Sequence, residues 1–179
     1  METFSHFVKR IVTAFNRSGL KYMLTGALAS SYYGRARTTL DADIVVAIRE
    51  KDLAALAKVL TVANLKIQKE KVRAAWKSDY RIFTVEDKVT PHTLDIIFRS
   101  QSLKRNAGRI LGLPTYYEAP DSLILAKLRM IKVTVETARA ETDREDIRAI
   151  LENTQIDLKS LKEKARAEST AKILADLLS

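Results

Sequence analysis

Apolar residues recur every three or four positions near the start of the chain. Phe4, Phe7, Val8, Ile11, Val12 and Phe15 share one face of a helical wheel. This spacing predicts a helix over 3–17, stopped at Ser18-Gly19. The period then changes. Residues 21–25 read as a short strand broken at Gly26, and the small residues of 27–33 as a short helix closed by Gly34. A strand over 41–48 ends in the run Ile44-Val45-Val46-Ala47-Ile48, whose unbroken apolarity predicts burial on both faces. Leu53, Leu56 and Leu60 predict a helix over 51–62. Residues 65–75 have no clear period. Strands are expected over 80–85 and 92–98, joined as a hairpin through Glu86-Asp87-Lys88, with Pro91 limiting the start of the second. From there the pattern predicts helices alone, over 102–111, 120–138, 143–152, 157–165 and 169–178. The expected architecture is α/β (α+β): a mixed α/β half over 1–100, then a C-terminal helical subdomain over 101–179.

Composition narrows the chemistry. The chain has 179 residues, no Cys and two distant His, His6 and His92. It is long enough to bury a core without disulfides or a structural metal. A thiol nucleophile and a Cys-ligated zinc or iron–sulfur site are excluded, and a Ser-His-Asp triad or His-rich metal site is disfavoured. No apolar run approaches the ~20 residues of a membrane span, and the first residues lack the pattern of a signal peptide, so a cytoplasmic location without membrane partners is expected. The net charge is +9, spread over both halves of the chain. Such an excess serves solubility and equally favours an anionic partner.

The candidate chemistry lies in the carboxylates around the early glycines. Asp41 and Asp43 stand two apart at the start of a strand, so both point to one face. Paired carboxylates inside a fold need a cation, which points to a hard divalent ion such as Mg²⁺; the alternative is a solvated pair at a strand entrance. Asp95 sits among the apolar residues of Leu94-Asp95-Ile96-Ile97. It either faces solvent on an edge strand or, if its strand neighbours that of Asp41 and Asp43, joins them in a three-carboxylate site suited to two-metal phosphoryl transfer. Gly26-Ala27, at a strand end leading into a helix, presents free backbone N–H groups to a phosphate, and Arg35 and Arg37 add cations. Neither G-x-x-x-x-G-K-[ST] nor G-x-G-x-x-G is present, which excludes a P-loop or dinucleotide-binding reading.

Together these residues resemble the nucleotidyltransferase superfamily related to polymerase beta. Gly26-Ala27-x-Ala29, Tyr33-Gly34 and Arg37-x-Thr39-x-Asp41-x-Asp43 look like its small bacterial and archaeal branches, including the AbiEii-type toxins of toxin–antitoxin systems. Pro120-Asp121-Ser122-Leu123-Ile124, Lys127 and Asp143-x-x-Asp146-Ile147 are similar to the pattern downstream. The likeness spans residues 20–152, with one departure. Ala27 stands where the family has Gly or Ser, keeping the N–H and lacking a hydroxyl.

The resemblance implies an enzyme that moves a nucleoside monophosphate from a nucleoside triphosphate to a hydroxyl and releases pyrophosphate, in a cleft between the two halves. Asp41, Asp43 and Asp95 would hold two Mg²⁺ ions, with Asp95 helping to deprotonate the acceptor. Gly26, Ala27, Arg37 and Lys127 would hold the phosphates. The basic charge and the toxin-like branches favour RNA, such as a tRNA end, as acceptor, and imply a cognate antitoxin. A small-molecule (antibiotic) nucleotidyltransferase and a nucleotide- or RNA-binding module without turnover are the alternatives. Lys127 has a second reading as a side chain snorkelling from an apolar helix face, and Asp143 and Asp146 as a solvated first helical turn. Trp76 and Tyr80 lie among basic residues in a pattern that suits base stacking or an exposed loop equally.

Overall fold

The computed structural model describes residues 3–134 and 138–179. Two compact units emerge. One joins the chain up to Ala27 with Thr38–Glu118; the other joins Leu28–Arg37 with Ala119–Ser179.

The first unit is built on a six-stranded mixed sheet of β1 (Lys21–Leu24), β2 (Asp41–Ala47), β3 (Ile82–Glu86), β4 (Thr93–Arg99), β5 (Arg105–Ile110) and β6 (Leu113–Glu118). The strand order is β3-β4-β2-β1-β6-β5. β2 pairs antiparallel with β1 and parallel with β4, and β3 closes antiparallel on β4. The apolar run of β2 is explained by this central place, with Ile44, Val45 and Val46 all buried. Helix α1 (Phe4–Ser18) buries the face predicted from its spacing, including Phe7, Val8, Ile11, Val12 and Phe15. Each such side chain contributes about 1.5–3 kcal/mol on burial. Gly19 ends the helix at φ 74°, a left-handed conformation that Gly adopts without penalty. Helix α3 (Leu53–Val62) follows a short 3₁₀ turn, and the stretch without a clear period forms α4 (Lys69–Lys77). Trp76 packs its ring 5.9 Å from Phe98 and carries the Arg81 guanidinium at 4.8 Å, while Tyr80 is exposed. His92 is a packing residue, buried against Phe4 and Phe7 and bonded from Nδ1 to the Leu40 carbonyl.

One expected element is of the wrong kind. Residues 102–111 do not form a helix. They supply β5, which turns through Leu111 and Gly112, both at positive φ, into β6. A two-residue loop with φ > 0 at both positions suits a tight hairpin, so Gly112 makes a turn where the sequence suggested a helix stop. β5 is an edge strand without a fully buried residue, and hence has little apolar alternation to read. β6 does alternate, burying Thr115 and Tyr117 and exposing Tyr116. The sheet therefore continues to Glu118.

A buried ion pair ties α1 to the turn between β3 and β4. Asp87 accepts from Arg10 at 2.9 Å, from the Thr90 hydroxyl at 2.7 Å and from the Thr90 N–H at 3.1 Å. Burial alone would raise this carboxyl, but the Thr90 and Arg10 bonds outweigh it and hold it below the usual carboxylate range. On acidification the unfolded chain takes up this proton first, so the stabilisation present at neutral pH is lost as pH falls through the lowered value. Asp87→Asn should therefore lower stability at pH 7 and leave a flatter acid limb, measured by urea unfolding between pH 3 and 7.

The second unit is helical. It contains α5 (Pro120–Val133), α6 (Ala138–Asn153), α7 (Leu158–Ala167) and α8 (Ala171–Leu178). The helix expected to run to 138 ends at Val133, and 135–137 lie outside the described residues. α2 (Gly26–Tyr33) begins in the first unit and continues into this one. Gly34 ends it against α6, where an added Cβ would stand 3.0 Å from the backbone of Ala149 and Ile150. The Thr154 hydroxyl donates to the Tyr33 carbonyl at 2.8 Å across the same contact. Among the described residues, no helix is long and apolar enough to cross a membrane.

Candidate functional site

β2 and β4 run parallel with Asp43 opposite Asp95. β4 is an interior strand, so Asp95 does not lie on an edge. Side chains alternate along a strand, which puts Asp41, Asp43 and Asp95 on one face of the sheet. The other face carries Ala42, Ile44, Val46, Leu94, Ile96 and Phe98, all buried. The parallel register of β2 and β4 thus brings the three acids to neighbouring positions.

Two of the carboxylates accept hydrogen bonds from neighbouring threonines. Thr39 donates to Asp41 Oδ1 at 2.8 Å, and Thr84, opposite Asp95 on β3, donates to Asp95 Oδ1 at 2.5 Å. Among the described residues no three acidic or His side chains stand close enough together to hold a metal ion. The donor set is still of the right kind for Mg²⁺, with hard carboxylate oxygens on adjacent strands.

Asp43 also meets the start of α2. The Thr25 N–H donates to the Asp43 carbonyl at 3.0 Å, which ties the end of β1 to β2 at this level. Gly26 follows at φ 56°, and a Cβ there would overlap the Asp43 carboxylate. Both the backbone conformation and the close approach demand glycine. Ala27 is buried and, unlike Gly26, is not among the residues at positive φ, as its Cβ requires. Gly26→Ala should cost about 1–3 kcal/mol through the left-handed strain and displace the Asp43 side chain, read as a lowered Tm.

The sequence reading missed Glu118. At the end of β6, beside β1, its Oε2 accepts from the Thr25 hydroxyl, next to Gly26. With β6 hidden from the pattern, nothing placed Glu118 near the glycine.

In the helical unit Lys127 is not a snorkelling side chain. It is buried at 6% exposure, and its Nζ lies 2.7 Å from Asp143 Oδ1 and 2.8 Å from Asp146 Oδ2. Asp143 and Asp146 are not a solvated first turn either. They are buried inside α6, three residues apart on one face. Asp146 Oδ1 meets Arg37 Nε at 3.2 Å, so this carboxylate is shared by the two cations expected to hold phosphates. The i, i+3 spacing of the two acids and the apolar setting of Lys127 were visible in the sequence. Their mutual pairing was not.

No family model matches this chain, and neither does any curated protein. Solved structures do match, and they define the fold. ANT(2'')-Ia in complex with adenylyl-2''-tobramycin aligns with TM-score 0.70 at 14% identity, over 94% of this chain and 99% of that one. An antigenic nucleotidyltransferase-like protein from Paracoccidioides brasiliensis gives 0.61 at 14% identity, over 99% and 94%. The lincosamide antibiotic adenylyltransferase LnuA, lincomycin-bound, gives 0.57 at 11%, over 84% and 99%. The chain shares the fold of these solved structures.

Proposed function

We propose that this protein is a nucleotidyltransferase that moves a nucleoside monophosphate from a nucleoside triphosphate to a hydroxyl. The observation that carries the reading is the parallel register of Asp43 with Asp95, with Asp41 on the same face and the start of α2 against Asp43. Asp41, Asp43 and Asp95 would hold two Mg²⁺ ions. When bound, these ions would neutralise the phosphate charge and polarise the α-phosphate. The α2 N–H groups at Gly26 and Ala27 receive phosphate oxygens, and Arg37 adds a cation. Lys127 acts through Asp146, which orients Arg37. Asp95 takes the acceptor proton, the acceptor oxygen bonds to the α-phosphorus, and the bond to the β-phosphate oxygen breaks to release pyrophosphate.

RNA is the acceptor that the charge of +9 favours, since a basic chain attracts a polyanion. The toxin reading, with a protein antitoxin as partner, goes with that acceptor. A second acceptor class is a small hydroxylated antibiotic, favoured by the near-complete mutual coverage with ANT(2'')-Ia. Incubating the chain with each α-labelled nucleoside triphosphate, Mg²⁺ and either total RNA or an aminoglycoside separates the two. Label in RNA supports the first, and label in the antibiotic the second. Nucleotide binding without pyrophosphate release would make the chain a binding module. Label transfer that survives both Asp41→Ala and Asp43→Ala overturns the proposed chemistry.

A further inference from the structure

The face of the sheet opposite the carboxylates is covered by helices, as the packing of Trp76 in α4 on Phe98 shows. α3, α4 and the segments leading into them line a groove of about 920 Å³. Its floor is aliphatic, formed by Leu53, Ala54, Ala57, Ile67 and Val72. Its rim carries five cations, Lys51, Lys58, Lys69, Arg73 and Lys77, against a single acid, Glu50. Val62, 65% exposed, joins this groove to a second, smaller cavity on α1 whose lining includes Lys9, Arg10 and Arg17. The result is an apolar trough bordered on both sides by positive charge.

We infer that this trough is a docking site for an acidic amphipathic helix of a partner protein. Three features select that occupant. The cation excess complements carboxylates. The aliphatic floor accepts Leu, Ile or Val side chains at i, i+3, i+4 and i+7, the usual mode of a helix lying in a groove. Among the described residues no Phe, Tyr or Trp lines either cavity, and the one ring, His6, belongs to the smaller cavity, so the groove along α3 and α4 lacks the platforms on which single-stranded bases stack. α3 has ten residues and is about 15 Å long, which matches roughly three turns of a bound helix. The site is separate from the candidate nucleotide site, because it occupies the opposite face of the sheet.

The test uses the full chain and a fluorescent 16-residue peptide with Leu at i, i+3, i+4 and i+7 and Glu at the remaining positions, followed by fluorescence polarisation. A scrambled peptide of the same composition and a 16-nucleotide oligouridylate serve as competitors. The expected result is saturable binding of the patterned peptide, at least tenfold tighter than the scrambled one and weakened by added salt. Two variants, Ala54→Trp to fill the floor and Lys58→Glu with Arg73→Glu to reverse the rim, should each weaken it at least tenfold with unchanged circular dichroism. Asp43→Ala should leave it unchanged, which separates this site from the transfer chemistry. Equal binding of patterned and scrambled peptides, binding that ignores both variants, or displacement by the oligouridylate with similar affinity would overturn the assignment. The comparison of the two peptides on the unmodified chain stands even if a variant fails to fold.

Discussion

Asp43→Ala should lower Mg²⁺-dependent nucleotidyl transfer by about 10³-fold or more, with the fold retained. In the proposed chemistry Asp43 holds a metal ion; loss of such a carboxylate forfeits several kcal/mol of transition-state stabilisation, and each ~1.4 kcal/mol is a factor of ten in rate. The position separates chemistry from structure well. The Asp43 link to the end of β1 runs through its backbone carbonyl, which Ala keeps. Its side chain is only half-buried and lies against Gly26, so its loss opens space at the start of α2 rather than in the core. Asp43→Asn preserves shape and removes charge, and is expected to lose nearly as much. Full activity in Asp43→Asn would show that the charge of Asp43 is not used. The measurement is label transfer per active molecule, with circular dichroism and Tm taken in parallel.

Lys127→Met carries the largest expected effect on stability, a loss of about 3–5 kcal/mol, because it leaves buried carboxylates without their cation. Two acids depend on this ammonium, Asp143 and Asp146, and both are buried. Arg37 reaches Asp146 alone, from a more exposed position. For a chain of this length the loss is a drop in Tm on the order of 10 °C. Combining Lys127→Met with Asp143→Leu and Asp146→Leu should recover most of it, since replacing a whole buried ionic cluster by apolar residues is often close to neutral. Urea unfolding of the single and triple variants checks both statements. A single variant as stable as the parent would mean that water reaches the cluster.

The two expectations rest on residues that the sequence marked with unequal clarity. Asp41, Asp43 and Asp95 were legible because strand alternation is a local rule. An acid inside an apolar strand is conspicuous, and a spacing of two puts both members of a pair on one face. Gly26 was legible for a similar reason, as a break between strand and helix. Lys127, Asp143 and Asp146 were each visible as candidates. Their cluster was hidden, because it joins positions on two helices, 16 residues apart for Lys127 and Asp143, and no period connects them. Glu118 was hidden behind an edge hairpin. β5 buries no residue fully, so tertiary pairing with β6, and not its own pattern, makes it a strand.

By itself, then, the sequence determined the elements with a strong apolar period, the sheet face shared by Asp41 and Asp43, the glycine at the start of α2 and the exclusion of thiol chemistry. Tertiary structure alone decided that β4 lies beside β2, so that Asp95 stands opposite Asp43, and that Lys127 faces inward to two acids. It also decided that residues 105–118 extend the sheet. The physical reason is range. Periodicity reports how one segment meets an average apolar surface, whereas register, ion pairing and edge-strand formation depend on which distant segment lies opposite.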